Sequence, residues 1–138
     1  KPTIDEVIPI FSKFCGNLPL VAHNASFDYK FLLSDVIKYK TPSPKGCVLD
    51  TLTLARKVFP SMPNYKLWTL VRYFNFPSGT FHRAEEDSSY CGLLFLKIIQ
   101  TLKERGEPHN EDALIKLIGK EKLIFPIFKE DNDQLDLF

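Results

Sequence analysis

The chain has 138 residues, 44% of them hydrophobic, which is enough for the core of one domain. The net charge of +1 excludes a strong overall basic field, and the longest apolar run, GLLFLKII, is far shorter than the roughly 20 residues of a membrane span. No secretory signal is expected at its start. Cys15, Cys47 and Cys91 are scattered, which is typical of reduced thiols in a cytoplasmic protein rather than of a disulfide or zinc framework.

The first half of the chain predicts a helix, a strand and a second helix. Thr3 and Glu6 have the spacing of a capping box that starts a helix, and Pro9 should kink that helix or shift its start. The core face of this helix is expected at Val7, Phe11, Phe14 and Cys15. The segment PLVAH (19–23) is typical of a short buried strand, and the second helix is predicted from about residue 26 to 39.

The second half predicts another short strand and several helices. The segment CVLDT (47–51) is the strand, and a helix follows it directly. The next helix repeats apolar residues at i, i+3, i+4 and i+7, which are Leu67, Leu70, Val71 and Phe74. A long helix is expected from about residue 84 to 105, where Gly106 stops it. A last short helix is expected within 107–128, before a flexible tail at 129–138.

This order of elements predicts an α/β fold. Two short strands are too few for a stable sheet covered by helices, so we expect the rest of the sheet to lie outside this sequence. We divide the chain into a main domain at 1–106, a helical extension at 107–128 and an acidic tail at 129–138. The tail holds one Lys and four acids, a net charge of −3, which leaves +4 on the remainder.

Two acids fall on the apolar faces of predicted helices. Asp87 shares its face with the positions 4, 7, 8, 11 and 15 residues further on, namely Cys91, Leu94, Phe95, Ile98 and Leu102. Asp28 begins a similar stripe, which Phe31, Leu32 and Val36 continue. An inward carboxylate without a partner costs several kcal/mol, so a cation is expected beside it, and hard oxygen ligands favour Mg²⁺ or Mn²⁺. The alternative is that both are helix N-terminal acids stabilised by the macrodipole.

A histidine strengthens the interpretation that Asp28 and Asp87 belong to a metal site. Asp28 follows a strand end and Asp87 begins a helix, so we expect both at the carboxyl edge of the sheet. His82 lies five residues before Asp87. In a loop it can swing back over the same site and act as a base, although a lone histidine is more often structural or exposed.

The motifs around these residues resemble those of a known family. HNASFD (23–28) is similar to the motif N-x-x-F-D, and HRAEED (82–87) to H-x-A-x-x-D. Together they resemble the DEDDh 3′–5′ exonucleases, especially the epsilon proofreading subunits of bacterial DNA polymerase III. The resemblance extends over about 1–103 and includes the segment between the motifs.

This resemblance implies a ribonuclease H-like exonuclease fold and two-metal phosphodiester hydrolysis with Mg²⁺ or Mn²⁺. By motif match it implies that His82 is the general base, that Asp87 is a direct metal ligand and that Asp28 supports the second ion. Asn24 either braces the loop or contacts the terminal nucleotide. His23 has no motif role and is expected to pack, and Asp50 is expected to cap a helix.

The sequence departs from the family at its first motif. A D-x-E on the first strand supplies two of the four family carboxylates, and no D-x-E precedes Asp28 here. We therefore expect an N-terminally incomplete fold whose first strands are absent, and a chain that is inactive without those acids. A natural degenerate domain is the alternative.

The final residues, QLDLF, resemble the Q-L-x-L-F peptide with which bacterial replication proteins bind the sliding clamp. The resemblance implies that clamp contacts are made by Gln134, Leu135, Leu137 and Phe138. The alternative is a strand that packs on its own domain. A clamp tether would raise the local concentration of the protein at DNA and would explain its weak overall charge.

The sequence therefore predicts an exonuclease that removes nucleotides from single-stranded DNA 3′ ends, with proofreading as its role. A replicative polymerase subunit is a further possible partner. One alternative is an exonuclease that trims RNA 3′ ends with the same motifs. The other is a non-catalytic adaptor that links the clamp to another replication protein.

Overall fold

The computed structural model describes residues 1–77 and 83–128, without the side chains of residues 83 and 84. The chain divides into two compact units. The first unit contains Lys1–Leu20, Phe27–Val48 and the described residues from Leu123 onward. The second contains Val21–Ser26 and Leu49–Lys122.

The first unit begins with helix α1 (Ile4–Cys15). The predicted capping box is present, since the Glu6 carboxylate accepts a hydrogen bond from the Thr3 backbone N–H at 3.1 Å. Pro9 lies inside the helix, so the alternative of a shifted start is wrong.

The predicted core face of α1 is also wrong, apart from Cys15. Val7, Phe11 and Phe14 are exposed, Phe14 to 85%, while Ile8 and Ser12 are buried with Cys15. The Ser12 hydroxyl contacts the Ile8 carbonyl at 2.8 Å and the Pro42 carbonyl at 2.9 Å, which compensates the burial of a polar group.

The sheet of the described residues has two strands, β1 (Leu20–Ala22) and β2 (Val48–Asp50), hydrogen-bonded to each other. Leu123 adds an antiparallel bridge to Val48, and the Val48 N–H donates to the Leu123 carbonyl at 2.9 Å. Phe125 is buried and packs against Tyr29, whose hydroxyl donates to the Ile124 carbonyl at 2.6 Å. The segment after the last helix thus returns to the first unit as extended chain.

Helix α2 (Ala25–Tyr39) follows β1, close to the predicted span. Four helices make up most of the second unit: α3 (Thr51–Val58), α4 (Leu67–Phe74), α5 (Arg83–Glu104) and α6 (Glu111–Ile118). Helix α3 packs against α5 and α6, and α4 packs against α5. The predicted apolar stripe of α5 is confirmed from Cys91 onward, since Cys91, Leu94, Ile98 and Leu102 are buried, while Phe95 is half-buried.

None of the three cysteines is in a disulfide, and all three are buried. Within residues 1–77 and 83–128, no helix is long and apolar enough to cross a membrane.

Candidate active-site elements

A buried carboxylate, Asp50, ties together the two turns that follow the strands. As the sequence predicted, it caps α3, accepting from the Leu52 N–H at 3.0 Å through Oδ1. The same oxygen accepts from the N–H groups of Asn24 at 2.9 Å and Ala25 at 3.2 Å, at the start of α2. Its Oδ2 accepts from the Thr53 hydroxyl at 2.8 Å. Asp50 is only 8% exposed, and these four donors compensate the burial of its charge.

This arrangement fixes the turn that carries the N-x-x-F-D motif. Asn24 has a φ of +65°, a left-handed conformation that Asn tolerates better than most residues. Its backbone N–H is held by Asp50, while its side chain is exposed. The bracing expected of Asn24 therefore runs through its backbone, and contact of its side chain with a nucleotide stays a prediction.

His23 is a second anchor of the same turn, in line with the predicted packing role. Its Nε2 lies 2.7 Å from the Tyr65 carbonyl oxygen and its Nδ1 lies 2.9 Å from the Thr51 hydroxyl. Because a carbonyl only accepts, Nε2 carries the proton, which leaves Nδ1 of the neutral ring as an acceptor. Nδ1 and the Ala22 carbonyl, at 3.3 Å, share the single proton of the Thr51 hydroxyl. Burial lowers the pKa of His23 below its ordinary value of 6.5, against the raising effects of the Tyr65 hydrogen bond and Asp50. The neutral ring is therefore the form present at pH 7.

Asp28 is in the first turn of α2, but the prediction that it points inward is wrong. Its side chain is exposed, and so is Phe31, which contacts Phe27 at a ring-centroid distance of 5.2 Å. The buried part of the stripe begins only at Val36. An apolar stripe does not bury a residue at the helix end, where fewer elements pack over it.

Asp87 is exposed as well, so its predicted inward orientation is also wrong. It lies on α5 four residues before Cys91, at which the buried stripe begins. An exposed carboxylate needs no compensating partner, because water solvates it. The helix macrodipole acts on the first-turn acids Glu85 and Glu86 rather than on Asp87. Exposure also leaves its oxygens open to a ligand from solvent.

Asp28 belongs to the first unit and Asp87 to the second, and each is described in its own unit. Their convergence at one metal site stays a prediction. His82 lies outside the described residues, as do the clamp-binding residues of the tail. Within residues 1–77 and 83–128, no group of three or more His, Cys, Asp or Glu side chains could hold a metal ion. Carboxylate oxygens, such as those of each exposed Asp, are the ligands that a hard divalent cation prefers.

The sequence reasoning missed the second helix that Asp50 holds. Its position at the end of β2 predicted the cap of α3, but the contacts with Asn24 and Ala25 join residues 25 or more positions apart. The only sequence signal for these contacts was the expected pairing of the two strands, because paired strands bring the turns at their ends close together.

Comparison with protein families gives a match over most of the chain. The family described as RNase_T: Exonuclease matches residues 1–95. Among curated proteins, the DNA polymerase III PolC-type of Caldanaerobacter subterraneus is 40% identical over 105 residues, covering 76% of this chain and 7% of that protein. The DNA polymerase III subunit epsilon of Aquifex aeolicus is 36% identical over 102 residues, covering 74% of this chain and 50% of that protein. The chain thus spans half or less of these relatives.

One solved structure supports the fold. The protein in "Exonuclease X in complex with 5′ overhanging duplex DNA" superimposes with a TM-score of 0.59 at 26% identity, covering 86% of this chain and 64% of that one. The likeness confirms the expected ribonuclease H-like α/β fold, in partial form.

Proposed function

Since this chain belongs to the RNase T exonuclease family, we propose that it is part of a 3′–5′ exonuclease that removes nucleotides from DNA 3′ ends during replication proofreading. The observation that carries the proposal is the family match over residues 1–95, which includes both motif acids, Asp28 and Asp87. Both are exposed near the start of a helix, as groups that meet a substrate must be. A replication role places the protein in the bacterial cytoplasm.

The exonuclease family generally uses divalent metal ions. When bound, Mg²⁺ or Mn²⁺ would neutralise the scissile phosphate and lower the pKa of the attacking water. Asp87 would hold one ion directly, and Asp28 would support the second. His82 would take the proton from the water, with Asp50 and His23 keeping the turn before Asp28 in place. The sequence holds no D-x-E before Asp28, so we expect the 138-residue chain alone to be inactive.

DNA is the substrate that the relatives favour over RNA. The matched curated proteins are named as DNA polymerase III components, and the similar solved structure is of an exonuclease with duplex DNA. A replicative polymerase subunit is accordingly the proposed partner. The adaptor alternative predicts clamp binding without turnover.

The test is a hydrolysis assay of the full-length protein on a 5′-labelled single-stranded oligonucleotide with Mg²⁺. We expect a ladder that shortens one nucleotide at a time, because removal from the 3′ end leaves the label on the remaining strand. A chelator should stop the reaction, and an RNA of the same sequence should be the poorer substrate. Release of labelled mononucleotide first would reverse the assigned direction, and faster RNA cleavage would favour the RNA-trimming alternative. If neither the DNA nor the RNA oligonucleotide were hydrolysed, the non-catalytic adaptor would be the remaining alternative.

The tail gives a separate prediction about the sliding clamp. Deletion of residues 134–138 from the full-length protein should weaken clamp binding more than about 100-fold, since three apolar anchors of the Q-L-x-L-F pattern would be lost at about 1.5–3 kcal/mol each. Surface plasmon resonance with immobilised clamp measures this, and turnover of a short oligonucleotide should not change. Asp136→Ala is the matched control, because it alters the variable position of the motif. Clamp binding that survives the deletion would remove the tail from the proposed interface.

A further inference from the structure

The second unit has a basic and aromatic segment that the proposed chemistry does not use. Residues 51–84 contain five Arg or Lys and no Asp or Glu, in a chain whose net charge is only +1. The chain's one tryptophan, Trp68, lies within this segment on α4. Cationic and aromatic side chains in combination are the usual surface for single-stranded nucleic acid.

Trp68 is exposed to an extent that is unusual for this residue type. Its side chain is 51% exposed, although tryptophan is highly buried on average. Arg72 follows four residues later, so both lie along one face of α4. Arg72 is exposed too. This α4 face, defined as Trp68 and Arg72, presents a flat π-surface beside a cation.

The α4 face lies next to the helix that carries Asp87. The Trp68 ring contacts the Tyr90 ring at a centroid distance of 5.6 Å, and Tyr90 is only 4% exposed. Tyr90 is three residues after Asp87 on α5, a rise of about 4.5 Å along the helix. The exposed indole is therefore packed beside α5 within about one helical turn of Asp87.

Charge determines how a strand would lie on this face. The Tyr90 hydroxyl is hydrogen-bonded to Glu86, and burial together with this carboxylate raises the pKa of Tyr90. Glu86 repels phosphate near Tyr90, while Arg72 on α4 attracts it. The sugar–phosphate chain would then follow Arg72, and a base would stack on Trp68.

We propose that the α4 face is a binding site for single-stranded DNA, at which Trp68 stacks on a base of the strand whose 3′ end is hydrolysed and Arg72 contacts its phosphate. The inference rests on the proposed function for the identity of the strand. It assigns to α4 the role of holding nucleotides that precede the scissile bond.

The experiment measures binding without hydrolysis. A fluorescein-labelled dT12 is titrated with the full-length protein in EDTA, and the anisotropy gives the affinity. Trp68→Ala should weaken binding about fivefold or more, as loss of one stacked base does. Arg72→Ala should lower the slope of log affinity against log salt by about 0.7, as loss of one phosphate contact does. Lys116→Ala removes an exposed charge from α6 and is the matched control, which should bind as the wild type does.

The indole itself provides a second readout. Unlabelled dT12 should quench the tryptophan emission of the wild type, and Trp68→Phe should lose the part of that quenching that comes from Trp68 while the affinity stays within about twofold, because Phe still stacks. Melting curves should show that the variants fold, as Trp68 and Arg72 are both exposed. Wild-type affinity in both Trp68→Ala and Arg72→Ala, or no quenching of Trp68, would overturn the proposal. That result would leave the 3′-end hydrolysis assay unaffected, whereas failure of hydrolysis with intact quenching would refute the proposed function alone.

Discussion

Replacement of Asp87 by Ala in the full-length protein should lower the rate of DNA 3′-end hydrolysis more than about 100-fold. Loss of an outer partner of a metal site alone costs about 10–100-fold, and Asp87 is proposed as a direct ligand. The fold should tolerate the change, since the side chain is exposed and its interaction with the helix dipole is worth at most about 1 kcal/mol. Initial rates on a 5′-labelled oligonucleotide and a melting curve measure the two effects separately.

Glu85 offers the matched control for this prediction. It is an exposed acid in the first turn of α5, so Glu85→Ala removes the same charge two residues earlier, on another side of the helix. We expect its hydrolysis rate to stay within a few-fold of the wild type. Added Mn²⁺ should restore part of the activity only where a ligand has been weakened, as in Asp87→Asn. Equal rates for Asp87→Ala and the wild type would remove Asp87 from the site.

Periodicity predicted the helices, but the face that each one buries depends on what packs against it. The α5 stripe is buried at Cys91, Leu94, Ile98 and Leu102, as expected. The apolar side chains of α1 also share one side of their helix, within an arc of about 160°. Only the edge of that side is buried, at Ile8 and Cys15, while Ile10 and Phe14 are exposed. The sequence pattern identified the apolar side of α1 but not the part of it that other residues cover.

The candidate site could be predicted from local signals but not from long-range ones. Motif spacing identified Asp28 and Asp87, and the strand–helix junction identified Asp50 as a cap. The exposure of Asp28 and Asp87 could not be predicted, because an apolar stripe gives the side of the helix on which a residue lies. It does not show how far along the helix other elements cover that side. The antiparallel bridge between Val48 and Leu123 was equally invisible, since it joins segments 75 positions apart and has no local pattern.

Replacement of Asp50 by Ala should destabilise the protein by about 3 kcal/mol or more. Three backbone N–H groups and the Thr53 hydroxyl would lose their common acceptor, and each buried donor left without a partner costs about 1–3 kcal/mol. The loss of an N-cap alone costs about 0.5–2 kcal/mol. The melting temperature should fall by roughly 10 °C or more, measured by circular dichroism. Hydrolysis should also fall at temperatures where the variant is folded, because the turn before Asp28 is no longer held.

The isosteric change separates hydrogen bonding from charge at this position. In Asp50→Asn, Oδ1 still accepts from Asn24, Ala25 and Leu52, while the new amide N–H donates to a rotated Thr53 hydroxyl. We expect a cost of only about 1 kcal/mol and near-normal hydrolysis. Asp112→Ala is the matched control for loss of an acid in the first turn of a helix, since Asp112 is exposed on α6. If Asp50→Ala melted like Asp112→Ala, the four contacts would contribute little, and the start of α2 would have to be held by His23 and its partners instead.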